Sequence, residues 1–309
     1  MAKKMVDVLI IGGGIATHTA ALYASRASLN TLILSAPELD QLSLTTLVEN
    51  YTGFPEGIMG PKLIRDSKAQ AEKFGAKYEM GKVDSFKKIK GGFEVGVGSE
   101  KYQSKTVIIA TGASAITLNI PGKKEYFGKG VSTCAVCDAA LYREKTVVVI
   151  GGGDSAMEES LALSKFADKV TILHRREEFR ASKIMQDRVF KNKKIKVMWN
   201  TEFIEVLGDG KFVTGGKIKN SKTGKTQEIK CHGVFFAIGH KPNTDFLVKS
   251  IKLNKIGFIL TNNRQETNIP GVFAAGDVQD PIFKQAITSA GAGCQAALSA
   301  EWFIEGISR

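Results

Sequence analysis

Seven residues, VLIIGGG at 8–14, return as VVVIGGG at 147–153. Shifted by 139 positions, the chain stays in register with itself without a gap: Leu22, Ser25, Ile33 and Leu34 fall opposite Leu161, Ser164, Ile172 and Leu173. Each copy reads as an apolar β-rich run, a glycine turn, a helical spacing and a second β run within about 30 residues. That is the βαβ unit that sets phosphates against the free N–H groups and positive end of a helix N-terminus. A single glycine turn after a strand can be no more than a tight turn. Two in the same strand-to-helix context specify two dinucleotide-binding units and an α/β fold. The copies differ at the third glycine position, where helix packs on sheet: Ala156 fits there, whereas Thr17 is crowded.

A chain of 309 residues has room for two domains. Its 32 glycines cluster behind apolar runs, as loops that approach phosphate require. No run nears the ~18 apolar residues of a membrane span, and Asp7 and the glycines after Ile11 spoil the signal-peptide look of the start. Four cysteines are too few for a disulfide framework, so a reducing, cytoplasmic setting is expected. The net charge of +12 brings no aromatic platform or nucleic-acid motif and reads as solvated lysine faces. No nucleic-acid or membrane partner is expected.

The end of the second β run discriminates nucleotides, since a ribose hydroxyl calls for a carboxylate and a 2′-phosphate for arginine. The second copy runs TILHRREEFR and puts Arg175, Arg176 and Arg180 there, so this unit should prefer NADPH. The first copy ends in Ser35 with Glu38 slightly later, a less defined adenosine contact.

Between the copies lies STCAVCDAALY at 132–142. Zinc would need a second Cys or His pair, and Cys231 beside His232 and Cys294 are isolated thiols, expected in the core. A disulfide closing a two-residue loop removes little chain entropy, which argues against a structural staple. A redox dithiol remains. Ser132 and Thr133 are N-cap types, which would put Cys134 and Cys137 in a helix's first turn, where a thiolate is stabilised. Asp138 could relay protons there or merely cap the helix.

CAVCD, GGGDSAMEE, HRREEFRAS, FFAIGH and FAAGDVQD together resemble the low-molecular-weight thioredoxin reductases of bacteria, plants and fungi, over nearly the whole chain. The resemblance implies two Rossmann-like domains: a discontinuous FAD domain at 1–114 and 245–309, and an inserted NADPH domain at 115–244 carrying the CxxC. It also implies FAD contacts from Gly12, Gly14, Ala16, Gln41, Asn50, Gly112, Gly276, Asp277, Lys284, Gln285 and Ala286, with Asp277 on the ribitol. NADPH contacts would come from Gly151, Gly153, Asp154, Ser155, His174, Arg175, Arg176, Arg180 and Gly239. Hydride would pass from NADPH to FAD and on to the Cys134–Cys137 disulfide. Cys137 would face the flavin, Cys134 would attack oxidised thioredoxin, Asp138 would serve as the acid, and hinges near 113–116 and 241–245 would let the NADPH domain rotate. The protein would be a homodimer without a metal.

The chain departs from the family pattern at Ile15, Thr17, Leu39, Asp40, Phe283 and Lys284. Thr17 by crowding and Asp40 by repelling the pyrophosphate are expected to weaken FAD binding. A reductase serving another thioredoxin-like or peroxiredoxin partner is an alternative. Its peroxide-linked form usually carries an extra N-terminal domain, for which a strand beginning at residue 6 leaves no room. A flavin-poor nucleotide-binding protein without turnover is the second alternative.

Overall fold

The computed structural model describes residues 5–37, 40–44, 47–247 and 251–307, so Glu38 and Leu39 lie outside the described residues. The chain divides into two compact units, one made of residues up to Ser114 together with those from Lys241 onward, the other of Ala115–His240.

In the first unit, strand Val6–Ile11 lies between Thr31–Ser35 and Glu100–Ile109, parallel to both, and Thr31–Ser35 continues the sheet to Lys77–Met80. The ten-residue strand Glu100–Ile109 is shared along its length. Its first half pairs antiparallel with Gly92–Val97 and through it with Ser85–Ile89, while its last residues pair parallel with Val272–Ala274. Near-continuous apolar runs such as VLII and VII form these strands because both faces are covered. On one face, helices Ile15–Arg26 and Ala286–Glu305 approach closely through alanines, among them Ala20, Ala24, Ala292, Ala296 and Ala300. A Cβ on Gly293 would sit 2.3 Å from the Ala16 carbonyl, so only glycine permits that approach. On the other face Leu9, Ile11, Leu34, Val107 and Val272 form the core, each side chain contributing about 1.5–3 kcal/mol by leaving water.

The second unit repeats the arrangement. Strand Thr146–Gly151 lies between Gly233–Ala237 and Lys169–Leu173, with Val131–Ser132 and Ile195–Met198 outermost, all parallel. The helix after the glycine turn begins at Ile15 in one unit and Asp154 in the other, positions the 139-residue shift superposes. An antiparallel meander, Thr201–Gly208, Val213–Asn220 and Thr226–Lys230, is added to this unit, and nothing in the repeat announces it.

The return crossing falls at 240/241, whereas the sequence placed it at 244/245. Asn243 is the physical reason. Its side-chain amide donates to the Thr111 carbonyl at 2.8 Å and accepts from Ser114 Oγ at 2.9 Å, while its backbone N–H donates to the Gly112 carbonyl at 3.0 Å. These bonds hold residues 241–244 to the first unit.

Candidate active site

Cys134 and Cys137 are joined in a disulfide with Cα atoms 5.4 Å apart. Cys134 itself is the N-cap of a four-residue helix, Ala135–Asp138, and its Sγ accepts from the Cys137 N–H at 3.2 Å. The caps expected at Ser132 and Thr133 therefore shift to the cysteine. Ser132 acts one step back, its Oγ accepting from the Cys134 N–H at 3.1 Å. The amide on Cys134 Sγ is a donor aimed at a sulfur that becomes anionic when the disulfide opens. Of the other thiols, Cys231 is buried and pushed up to about 12 by that burial, but Cys294 is only partly covered rather than in the core.

Asp138 ends the same short helix. Its Oδ1 is buried without a hydrogen-bond partner among the described residues, and burial pushes the carboxyl above its usual range, an effect the Ser132 hydroxyl reduces. A carboxyl held this way keeps its proton at a pH where an exposed one has lost it. Because its folded-state pKa lies above the unfolded one, stability falls as pH rises from the ordinary aspartate range through the folded value, by about 1.4 kcal/mol per pKa unit of separation. Asp138→Asn lacks that slope. Its urea midpoint should gain on the wild type as pH rises from the ordinary aspartate range, about pH 4, toward neutrality, while disulfide turnover slows by about 10²-fold. A midpoint difference independent of pH would mean that Asp138 is not raised.

The glycine turn of the second unit is overlaid by the segment 174–182. Arg180 N–H donates to the Gly152 carbonyl at 2.8 Å, and the Asp154 carboxylate accepts from Ser182 N–H and Oγ, both at 2.8 Å. Those two bonds hold Asp154 below the usual carboxylate range. His174 is buried, with Nδ1 3.0 Å from the Gly151 carbonyl and Nε2 2.9 Å from the Glu178 carbonyl. Burial pulls its pKa down, so the ring is neutral near pH 7 and donates to only one of the two. A Cβ on Gly152 would strike that ring at 2.2 Å. His174 and Asp154, expected to meet the nucleotide, also brace the segment 174–182 against the glycine turn. Arg175, Arg176 and Arg180 are exposed on it. Gly153 caps the following helix with open space where a Cβ would be, Ser155 lies in that helix's first turn, and Gly239 adopts φ 111°, which favours glycine.

The first unit has the same closure at its glycine turn. A Cβ on Gly12 would lie 2.2 Å from the Ala110 carbonyl, and one on Gly151 would lie 2.4 Å from the Ala237 carbonyl. Thr17 is fully buried, but its hydroxyl donates to Ala110 O at 3.4 Å, so the crowding expected there is accommodated by a hydrogen bond. Ala16 packs under Gly276 and against Gly293. Space is open beside Gly112. Asp277 has its carboxyl above the usual range because of burial, with Ser289 Oγ donating to it at 2.8 Å. Asn50 Nδ2 donates to Gln285 Oε1 at 3.3 Å, and Gln285 caps the helix that begins at Ala286. Lys284 precedes it at φ 50°, and Gln41 Nε2 reaches the Ala113 carbonyl at 3.4 Å.

Asp40 lies beside Gly14, whose Cβ would be 3.8 Å from its own, but its carboxylate is turned into a local loop. It accepts from Leu42 N–H at 2.9 Å, Ser43 N–H at 3.1 Å and Ser43 Oγ at 2.5 Å. Asp40→Asn keeps an acceptor for both amides and removes only the charge, unlike replacement by glycine. It should tighten FAD by about fivefold, the effect of one unfavourable charge contact of about 1 kcal/mol. Flavin titration of apo-protein checks this, and unchanged affinity means the loop already screens the charge.

Two glycine turns built alike, with a disulfide and a buried carboxyl in one of the two units, define a nucleotide-linked disulfide oxidoreductase. The sequence profile of the pyridine nucleotide-disulphide oxidoreductases matches residues 6–293. The chain is 48% identical over 307 residues to a thioredoxin reductase of Rickettsia bellii, covering 98% of this chain and 99% of that one. It is 47% identical to a thioredoxin reductase of Chlamydia pneumoniae, at 96% and 98% coverage. The crystal structure of a Streptococcus pyogenes thioredoxin reductase matches with a TM-score of 0.94 and 39% identity, covering 98% and 99% of the two chains. The chain thus belongs to the pyridine nucleotide-disulphide oxidoreductases and, within them, to the FAD-containing, NADPH-dependent thioredoxin reductases.

Proposed function

We propose that the chain reduces the disulfide of a thioredoxin with electrons from NADPH, the first unit holding FAD and the second holding NADPH and the reacting sulfurs. What carries this reading is the disulfide next to a buried carboxyl oxygen without a hydrogen-bond partner among the described residues, in the same unit as a glycine turn fastened to a loop that carries three exposed arginines. The first unit fits FAD. Gly13 and Gly14 leave room for phosphate at a helix N-terminus, and Asp277 is a buried carboxyl with one donor that a ribitol hydroxyl would complement. Bound FAD would supply the electron pair that opens the Cys134–Cys137 bond.

Once the bond is open, the Cys137 amide stabilises negative charge on Cys134 Sγ. Cys134 thiolate attacks one sulfur of the thioredoxin disulfide, forms a mixed disulfide and expels the other sulfur as thiolate. Cys137 then attacks Cys134 Sγ, re-forming the internal disulfide and releasing the second thiolate. Asp138, a carboxyl that burial keeps protonated above its usual range next to Cys137 in the sequence, would deliver a proton to the leaving sulfur.

Purified protein should be yellow, NADPH should bleach the flavin band under anaerobic conditions, and added thioredoxin should restore it. Bleaching without restoration would remove thioredoxin as the acceptor. A homodimer in a reducing cytoplasm is part of the proposal. Ile282, Phe283 and Ile287 expose 74%, 65% and 44% of their surface within six residues of the first unit, apolar area that a second copy would cover. Sedimentation equilibrium decides it, a monomer at micromolar concentration counting against it.

A further inference from the structure

The geometry points to Lys222 and Ser221, in the hairpin turn after Val213–Asn220, as residues that position and charge-balance the arginine loop and thereby set its preference for a nucleotide carrying a 2′-phosphate. This rests on the reading above, in which Arg175, Arg176 and Arg180 hold that phosphate.

The turn is far from the loop in sequence but tied to it in space. Ser221 Oγ donates to the Arg175 carbonyl at 3.4 Å, and Ser221 N–H donates to the Asn200 carbonyl at 2.7 Å. Asn200, in the left-handed region at φ 51°, donates its own N–H to the Arg176 carbonyl at 3.2 Å. The carbonyls of both leading arginines are thus fastened, one by the meander's turn and the other by Asn200 just before its first strand. The turn is itself rigid, since Asn220 Oδ1 accepts from Lys222 N–H at 3.0 Å and Thr223 N–H at 2.9 Å. On the other side the loop is anchored to the glycine turn through Arg180 N–H and His174.

Charge gives this strap its second role. Glu177 and Glu178 interrupt the arginines, and a 2′-phosphate near pH 7 carries close to two negative charges, so each free carboxylate there opposes binding. Lys222 Nζ forms an ion pair with the Glu177 carboxylate. Both partners are exposed, so the pair adds little to stability. Its consequence lies with the anion: Lys222 cancels the carboxylate that directly follows Arg176. ADP lacks the 2′-phosphate and should not sense the pair.

The test is calorimetric titration of 2′,5′-ADP and of ADP into the purified protein, with KM and kcat for NADPH and NADH beside it. Lys222→Met should weaken 2′,5′-ADP by about three- to fivefold and leave ADP unchanged, with KM for NADPH rising and kcat constant. Lys222→Arg should bind as the wild type does. Lys222→Met with Glu177→Gln should regain wild-type affinity, because the carboxylate that needed cancelling is gone. Unchanged 2′,5′-ADP binding in Lys222→Met, equal losses with both nucleotides, or a double variant no better than the single one would each overturn the proposal. Arg176→Ala in the same titrations separates the two layers. If it loses 2′,5′-ADP while Lys222→Met does not, the strap fails alone; if neither moves, the phosphate assignment fails with it.

Discussion

Replacing Cys137 or Cys134 by serine should lower thioredoxin reduction by about 10³-fold or more while NADPH still bleaches the flavin, because electrons reach the dithiol last. The pair closes a disulfide with Cα atoms 5.4 Å apart, and Cys231 and Cys294 form no second pair. The two variants should also differ. Cys137→Ser keeps Cys134 with the residue-137 amide directed at its sulfur, so it should trap a mixed disulfide with thioredoxin, visible on a non-reducing gel. Cys134→Ser should trap much less. Retention of near-native thioredoxin reduction by either variant would show that the relay runs elsewhere.

The second large effect is expected at the arginine loop. Losing one charge-assisted contact to a phosphate costs about 1.5–3 kcal/mol, so Arg175→Ala, Arg176→Ala or Arg180→Ala should each raise KM for NADPH by about 10- to 100-fold. KM for NADH should stay nearly constant. The variants should fold, since the side chains are exposed and the Arg180 bond to Gly152 uses backbone atoms. Added salt should shrink the wild-type advantage for NADPH. Parallel losses with NADPH and NADH would return these arginines to the solvated surface.

The βαβ units were legible because their determinants are local: an apolar run, glycines that alone allow the approach of 12 to Ala110 and 151 to Ala237, and a helical spacing behind them. The site was legible as a neighbourhood more than as a set of contacts. His174 and Asp154 carry the right chemistry at the right spacing, yet they bond to Gly151, Glu178 and Ser182, and those partners are set by how the loop folds back. Ser182 could have been noticed, as a serine before the helical run KIMQDRVFK. Asp40 illustrates the same limit: its charge is evident in the sequence, but the two amides and the hydroxyl that orient its carboxylate belong to the fold. Ser221 and Asn243 act through hydrogen bonds to residues far from them in sequence, 46 positions away for Ser221 and 132 for Asn243 with Thr111, and no short motif carries such information.

The strand Glu100–Ile109 has a consequence for synthesis. Its last residues pair with Val272–Ala274, and helix Ile15–Arg26 packs on Ala286–Glu305, so the first unit needs segments from both sides of the inserted one. The inserted unit is one uninterrupted stretch and can complete its sheet as soon as Gly233–Ala237 has left the ribosome. The part translated first therefore finishes last. Until Val272 emerges, the apolar edge at Val107–Ile109 waits without its strand, so a nascent chain stalled before that point is the one on which holdase chaperones should act.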